Sequence, residues 1–265
     1  MEQIPSELLV NIFQNLDLKN FIQLELINHY FQNLIRNYKW HHITVSLENI
    51  AAISFVIKNY QFKKYNFKNS NITDEHVKYL EKCHTLNLSR CHLITDSSVR
   101  NLGNCHTLDL SWCLLTDSTV EHLGKCHTIS LSNCTQITDE GVTYLENCHT
   151  LDLSWYKKIT DSSVKNLGKC HTISLLGCRQ ITDSGVKNLT NCHTLKLCTQ
   201  VTDSSVKNLG NCHMIDLIDC YQITDSSVKN LRNCHKLNLI GCFKITNKCI
   251  KFLETHGLRV VPPYP

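Results

Sequence analysis

The sequence predicts an α/β repeat solenoid with parallel strands, preceded by a small helical unit, and three repeated patterns support this prediction. A Cys-His pair recurs eight times between Cys83 and Cys234, at spacings of 20 to 22 residues. An apolar-polar-apolar triplet such as Leu86-Asn87-Leu88 follows each pair, and Thr-Asp pairs recur with the same period. Because one strand and one short helix cannot bury their own apolar face, consecutive units must stack into a single array.

The first 45 residues lack this repeat and have helical patterns instead. Leu8, Ile12 and Leu16 are spaced by four residues, which predicts an amphipathic helix. Asp17 and Asn28 suit the starts of two further helices, because short polar side chains can accept hydrogen bonds from free helical N–H groups. We therefore expect a compact three-helix unit over 1–45.

Residues 46–64 connect this unit to the repeats, and we expect them to form a joining helix. Ser46 suits its start, and Ile50, Ile53 and Ile57 can pack it against the first repeat. No segment rich in glycine, proline or serine separates the two regions. The sequence therefore predicts a rigid junction rather than a flexible linker.

The array is expected to occupy 65–265, as about nine units of about 22 residues and a C-terminal cap. Within each unit the triplet predicts a short strand with one buried face. The Thr-Asp pair offers side-chain oxygens that can cap the start of a helix. Gly103, Gly124, Gly168 and Gly210 stand where these helices should end, so we expect left-handed caps there.

The sixteen cysteines have a structural explanation in this array. The start of the chain has no pattern of a secretion signal, which favours reduced, buried thiols. Tyr156 takes the cysteine position after the strand in one unit, and the other units have a thiol there that should reach neighbouring backbone: Cys91, Cys113, Cys134, Cys178, Cys198, Cys220 and Cys242. Zinc sites need locally clustered ligands, so we expect no metal site and no cofactor. The histidines are expected to form an exposed or half-exposed row.

The overall charge and the motifs exclude several functions. A net charge of +4 is too balanced for a nucleic-acid-binding protein. No segment is long and apolar enough to span a bilayer, and we expect an intracellular protein of the cytoplasm, the nucleus or both. The chain has no phosphate-binding glycine loop, and its Ser, His and Asp residues recur in every layer without one special set. The sequence therefore predicts a protein that is not an enzyme.

The array resembles the leucine-rich repeat, and specifically its cysteine-containing subfamily. The resemblance rests on L-x-L-x-x-C followed by I-T-D-x-x-V-x-x-L, as in Leu86 to Leu102, and covers roughly three quarters of the chain. It implies a horseshoe of parallel strands. The units here are a few residues shorter between the first cysteine and the strand than the familiar unit, so the curvature of the family does not carry over.

The first 45 residues resemble the F-box. The residues that carry this resemblance are Ile4-Pro5-x-Glu7-Leu8-x-x-x-Ile12-Phe13-x-x-Leu16, then Asp17-Leu18-x-x-Phe21, then Phe31-x-x-Leu34 and Trp40. Two positions depart from the family pattern. Ile4 replaces the usual leucine before proline, and Phe31 replaces a common tryptophan.

An F-box followed by leucine-rich repeats implies the substrate-recognition subunit of a Skp-cullin-F-box ubiquitin ligase. In that family the F-box docks on a Skp-type adaptor, which connects it to a cullin–RING ligase, and the repeats hold a protein substrate. Some docking positions must pack inward, and Pro5, Leu8 and Ile12 are expected to face the adaptor. The positions that match the docking motif are Ile4, Pro5, Leu8, Ile12, Phe13, Leu16 and Leu18.

Alternation along the strands predicts a substrate-binding face on the array. Two tryptophans, each near an aspartate, occupy a turn position that is mostly small or polar in other units. Exposed tryptophan is a favoured interface anchor, but packing between neighbouring loops explains these residues equally well. Further along, three apolar side chains replace the serines of other units. The candidate substrate-binding residues are Asp109, Trp112, Asp152, Trp155, Leu176, Ile218 and Ile240.

Two other functions fit the same residues. A non-catalytic protein-binding or inhibitory scaffold would use the N-terminal helices only as a cap on the array. A metal- or redox-responsive protein would use the Cys-His pairs. The composition and the compact units also resemble the F-box/repeat proteins of giant DNA viruses that infect amoebae, which implies an adaptor and a cellular location that belong to the host.

Overall fold

A single parallel sheet runs through the molecule. The computed structural model of the protein describes residues 9–10, 13, 16, 18–47, 49–197 and 199–264, apart from the side chains of Phe21 and His42. In this part of the chain eleven strands pair side by side in sequence order, each parallel to the next. The predicted α/β repeat solenoid is confirmed.

The first two strands are longer than the others, which have three residues each. The strands are β1 Lys39–Ser46, β2 Gln61–Asn66, β3 Thr85–Asn87, β4 Thr107–Asp109, β5 Thr128–Ser130, β6 Thr150–Asp152, β7 Thr172–Ser174, β8 Thr194–Lys196, β9 Met214–Asp216, β10 Lys236–Asn238 and β11 Arg259–Val261.

Among the helices whose bounds lie in the described residues, three of eight to ten residues precede the array, short ones alternate with its strands, and one of nine residues lies before the last strand. The helices are α1 Leu18–Glu25, α2 His29–Asn37, α3 Ile50–Asn59, α4 Asp74–Val77, α5 Asp96–Val99, α6 Asp117–Val120, α7 Asp139–Thr143, α8 Asp161–Val164, α9 Asp183–Val186, α10 Asp203–Val206, α11 Asp225–Val228 and α12 Asn247–Thr255. Short 3₁₀ turns follow four of them, at Arg100–Leu102, Leu167–Lys169, Lys187–Leu189 and Lys229–Leu231.

Equivalent residues of successive units lie next to one another in the sheet. Leu86 pairs with Leu108, and Leu108 with Ile129, so one apolar position continues from layer to layer. These central residues, and the leucines just past each strand, are almost completely buried. The apolar core is therefore continuous along the stack, as the repeat predicts.

The Thr-Asp pairs connect neighbouring layers on the helix side of the molecule. The threonine N–H donates to Oδ1 of the aspartate one layer earlier at 2.7–3.0 Å, and the threonine hydroxyl donates to Oδ2 at 2.5–2.7 Å. The same hydroxyl also caps its own helix, as Thr182 does by accepting from the Ser184 N–H. The threonine therefore caps its own helix, as predicted, and the aspartate accepts hydrogen bonds from the threonine of the following layer. We call this arrangement the Asp–Thr ladder. It ends at the last layer, where Asn247 replaces the aspartate.

The prediction of left-handed helix caps at four glycines is wrong. Gly103 is right-handed, with φ −62°, and in the described chain the glycines with positive φ lie elsewhere. The four glycines are instead needed where layers approach closely. A Cβ at Gly103 would lie 2.1 Å from the His122 carbonyl oxygen, and one at Gly168 would lie 2.5 Å from the Asn188 carbonyl oxygen.

The N-terminal region and the array share one apolar core, and strand β1 of this region belongs to the same sheet as the repeats. β1 pairs with β2, so the sheet begins before the joining helix rather than at residue 65, where the repeat pattern begins. The joining helix is α3, and Asn49, not the predicted Ser46, caps its start. The Glu25 carboxylate accepts hydrogen bonds from Arg36 and from the Tyr60 hydroxyl, which ties α1 and α2 to the residue after α3. These contacts support the predicted rigid junction.

Candidate binding surface

A row of turns borders the sheet where each strand ends, and we call this border the turn edge. The residue that reverses the chain in each turn has positive φ, between 57° and 78°. In seven of these eight turns the N–H of this residue donates to a backbone carbonyl of the next layer, as from Trp112 to Ser132 at 2.8 Å. The turn residues are Asn69, Arg90, Trp112, Asn133, Trp155, Gly177, Asp219 and Gly241.

The two tryptophans of the turn edge are exposed and conformationally strained. Trp112 is 44% exposed with φ 65°, and Trp155 is 58% exposed with φ 66°. Asparagine, aspartate and glycine adopt positive φ readily, whereas a bulky aromatic residue does so only at an energetic cost. The Arg90 guanidinium lies 5.0 Å from the Trp112 ring centroid, a cation–π distance. Unfavourable residues at exposed positions point to a use other than folding.

The predicted binding residues Asp109 and Asp152 hold the turns together. Asp109 Oδ1 accepts the Ser111 N–H at 3.0 Å and the Ser111 hydroxyl at 2.6 Å. Asp152 does the same for Ser154, at 2.9 and 2.5 Å. This side-chain turn is a local structural device. The role of these aspartates in binding stays a prediction.

The predicted apolar patch lies beside the tryptophans. Leu176 and Ile218 are half-buried and Ile240 is exposed. Two open clefts adjoin here on either side of the Trp155 indole. One cleft, of about 500 Å³, is bordered by Trp112 and Trp155, and the other, of about 570 Å³, is bordered by Trp155, Leu176 and Ile218. The structure thus brings together four of the seven predicted residues, while Ile240 does not border these clefts and the two aspartates stay in the turns.

The opposite border of the sheet carries one histidine in each repeat layer, and we call it the histidine edge. Eight exposed imidazoles stack with ring centroids 4.3–4.8 Å apart: His84, His106, His127, His149, His171, His193, His213 and His235. Burial and the neighbouring imidazoles lower the pKa of His106 and His171. The lone pairs of nearly parallel rings do not converge on one point. Within the described residues, no three His, Cys, Asp or Glu side chains are grouped to hold a metal ion.

The cysteine thiols are buried and contact backbone. Cys113 Sγ lies 3.2 Å from the Leu88 carbonyl oxygen, and Cys178 Sγ lies 2.9 Å from that of Leu153. Burial raises the pKa of Cys113 and Cys134 to about 12, so these thiols are poorly reactive. Tyr156 fills the cysteine position of its layer and is itself buried. Cys198 lies outside the described residues. The fifteen described cysteines are all buried, as a structural role predicts.

The predicted adaptor-binding residues lie partly outside the described chain. The residues outside it are Ile4, Pro5, Leu8 and Ile12. Phe13 is only 3% exposed, with its ring centroid 5.7 Å from that of Phe31 and 6.4 Å from that of Trp40. The prediction that Phe13 contacts an adaptor is therefore corrected, because its side chain belongs to the core. Leu16 and Leu18 are half-buried and pack against the same core.

An exposed apolar group on the N-terminal helices was not predicted from the sequence. Leu26 is 83% exposed, Ile27 is 60% exposed, and Tyr30 is also exposed. Leu26 and Ile27 lie in the turn between α1 and α2, directly before the Asn28 cap, and Tyr30 lies in the first turn of α2. One sequence feature could have indicated this exposed group. Two apolar residues, Leu26 and Ile27, stand directly before a helix cap and do not follow the helical spacing of the neighbouring core residues.

Comparison with known proteins gives a family match for the N-terminal residues and a fold match for most of the chain. Residues 1–43 match the F-box domain family. The chain superposes on a protein of the yeast Rad7–Elc1 complex with a TM-score of 0.69 and 19% identity, covering 88% of this chain and 69% of the other. It also resembles an internalin of Listeria monocytogenes, with a TM-score of 0.55 and 19% identity over 84% of this chain and 72% of the other.

A third structure with a similar fold is that of a leucine-rich-repeat protein. A protein of this type from Leptospira interrogans superposes with a TM-score of 0.55 and 15% identity, over 83% of this chain and 59% of the other. At these identities the likeness concerns the fold. No curated protein sequence matches the chain. The chain therefore combines an F-box match with the fold of a leucine-rich-repeat solenoid.

None of the helices in the described part of the chain combines the length and the apolar character that crossing a bilayer requires.

Proposed function

We propose that the chain is the substrate-recognition subunit of a Skp-cullin-F-box ubiquitin ligase. The observation that carries this proposal is the match of residues 1–43 to the F-box, joined through a continuous sheet to a leucine-rich-repeat solenoid. The solved structure of the Rad7–Elc1 complex, which the chain resembles in fold, supports an adaptor of the Skp or elongin type as the first partner. A cullin–RING ligase and a protein substrate complete the assembly.

The exposed group Leu26, Ile27 and Tyr30 supports an adaptor contact on the N-terminal helices. Large apolar side chains at the surface favour burial against a partner. The matching motif residues Ile4, Pro5, Leu8 and Ile12 precede this group in the chain. The adaptor would then bind at the end of the solenoid, which leaves the turn edge of the repeats open for the substrate.

No catalytic role is assigned to the chain in this proposal. The cysteine-containing repeat subfamily is supported by the thiols that contact neighbouring carbonyls. We place the protein in the cytoplasm, the nucleus or both, because a Skp-type adaptor is found there. For a viral chain these compartments, the adaptor and the ligase would be those of the host.

A pull-down with a purified eukaryotic Skp-type adaptor tests the proposal. We expect the intact chain to bind, and the variant Leu26→Asp/Ile27→Asp to lose binding because it places charges in an apolar contact. The motif variant Pro5→Ala/Leu8→Ala/Ile12→Ala should also lose binding. Phe55→Ala is the matched control, since Phe55 is an exposed apolar residue on α3, outside this group. Circular dichroism checks that each variant is folded.

A second candidate function is a non-catalytic protein-binding or inhibitory scaffold. It is favoured by the burial of Leu9, Val10 and Phe13, which cover apolar core at the end of the array as a cap would. If neither a Skp-type nor an elongin-type adaptor binds the folded intact chain, this function takes first place.

A further inference from the structure

The two clefts beside Trp155 form one groove along the turn edge. The first is bordered by Trp112, Asn133, Trp155, Lys157 and Arg179. The second shares Trp155 and Arg179. The groove therefore has an aromatic wall at each end of its first half, and it continues across the Trp155 indole into the second half.

The second half of the groove opens over a shortened layer. The unit between Cys192 and Cys212 is two residues shorter than most others. The cleft above it has an apolar floor of Leu176, Leu197 and Ile218, and Tyr221 stands at its far side. A shortened unit in a regular stack thus creates a recess large enough for one apolar side chain.

The charges of the groove are uneven. Lys157 and Arg179 are exposed, and within the described residues no carboxylate lies within ion-pair distance of either. The tryptophan-lined half of the groove has no acidic residue among those that border it. Asp219 borders the far end, beside Tyr221. A ligand with negative charge at one end and an apolar group at the other complements this arrangement.

We propose that this groove binds a short, extended, acidic peptide segment of a partner protein. Its carboxylates pair with Lys157 and Arg179 beside Trp155, and a large apolar side chain enters the recess above Leu197. Trp112 and Tyr221 are separated by five strand spacings, about 24 Å, which an extended segment of about seven residues spans. The inference rests on the proposed function in treating this segment as part of the recognised substrate.

Aromatic and basic residues also bind single-stranded nucleic acid in other proteins, but the charges of this groove disfavour such a ligand. Strand binders use a continuous basic track along the phosphates. Here Lys157 borders only the first half of the groove, Arg179 lies where the two halves meet, and Asp219 borders the second half. A phosphate backbone crossing the whole groove would meet this negative charge.

Selection of peptides by the full chain, without any adaptor, tests the inference. Random peptides of about twelve residues displayed on phage would be selected at about 0.15 M salt. We expect the enriched peptides to share acidic residues followed or preceded within about four residues by a large apolar one. Enrichment of peptides without acidic residues would overturn the proposal.

Dissociation constants of one enriched peptide, measured by fluorescence anisotropy, then locate the site. Trp155→Asn and Arg179→Glu should each weaken binding by about tenfold or more. Lys165→Glu and Tyr79→Ala are matched controls, because both residues are exposed outside the groove, and they should leave binding unchanged. Asparagine is the natural turn residue at Asn133, so Trp155→Asn is expected to fold.

Charge exchange provides the strongest arm of the test. A peptide in which lysine replaces the acidic residues should bind Arg179→Glu better than it binds the unchanged chain. Equal binding by all variants, or competition by an oligouridylate strand that Trp155→Asn abolishes, would overturn the proposal. Because no adaptor is present, these results are separate from the pull-down: loss of adaptor binding contradicts the ligase role and leaves the peptide result intact.

Discussion

The histidine edge and the turn edge border the same sheet and differ in almost every respect. Along the histidine edge, eight consecutive layers carry the same imidazole, stacked at an almost constant distance. Along the turn edge, no two consecutive turn residues are alike, and arginine and tryptophan occupy positions that glycine or asparagine would fill with less strain.

This difference separates what folding requires from what binding requires. A repeated side chain makes the same contact in every layer, so its benefit is to the stack as a whole. A residue that differs between layers makes the surface of one layer chemically different from that of the next. The turn edge is therefore where a partner can distinguish one layer from another, and the repeated positions, including the Asp–Thr ladder, set the frame that holds it.

The largest expected loss of stability comes from substituting a residue that repeats from layer to layer. Asp183 accepts hydrogen bonds from the Thr202 N–H and hydroxyl and from the Ser205 hydroxyl. Asp183→Ala leaves these donors without their acceptor, and we expect the free energy of unfolding to fall by about 2–4 kcal/mol. Urea denaturation measures this change. Arg179→Ala on the turn edge is the contrast, with an expected change within about 0.5 kcal/mol. Similar losses in both variants would remove the distinction between the two kinds of position.

Acid should weaken the molecule in two stages that correspond to two sets of repeated residues. The lowered pKa of His106 and His171, caused by burial and by neighbouring imidazoles, means that the unfolded chain binds more protons. Stability should therefore fall as the pH drops below about 6.5. Burial raises the pKa of Asp183 and Asp203, but hydrogen bonds from serine and threonine outweigh this and lower it overall. Their contribution is present above about pH 3.9 and is lost as the pH falls through their folded-state pKa.

Thermal unfolding monitored by circular dichroism from pH 7 to pH 3 measures both stages. His171→Gln removes one ring from the stack and should reduce the loss between pH 7 and pH 5. A midpoint that stays constant from pH 7 to pH 4 would contradict the first stage.

The smallest change in the free energy of unfolding is expected for a substitution of a tryptophan on the turn edge. Whether this free energy rises or falls shows whether the tryptophan contributes to folding. Trp112→Asn replaces a strained residue by one that accepts positive φ, and it removes an exposed side chain. We expect the free energy of unfolding to stay the same or rise by about 1 kcal/mol. Urea denaturation beside the unchanged chain measures it. A loss of more than about 1 kcal/mol would instead indicate that the indole packs the loops, the alternative that the sequence left open.

Most of the fold follows from periodicity, because every unit repeats the same signals. The strands at Leu86 and Leu108, the threonine caps and the buried thiols were all predictable from spacing alone. β1 was not predicted as part of the sheet, since Lys39–Ser46 has neither the Cys-His pair nor the Thr-Asp pair. The four glycines were misinterpreted because a close approach between layers has no signature within a single unit.

The candidate site was less predictable than the fold. The sequence indicated Trp112 and Trp155 because they break the repeat, but their exposure depends on turn geometry that one unit does not reveal. Lys157 and Arg179 were missed, since they come from different turns and meet only when the layers stack. Phe13 matches a docking motif, but its neighbours in space, Phe31 and Trp40, decide that it is buried.

The Asp–Thr ladder also has a consequence for how such a chain can change in length. Every rung joins an aspartate to the threonine of the following unit with the same geometry, so a unit copied within the gene would enter the stack with both rungs complete. The special ends, the N-terminal helices and Asn247, would be unaffected. Evolution can therefore lengthen or shorten the molecule in whole units, whereas a partial deletion, as in the unit before Cys212, leaves a notch.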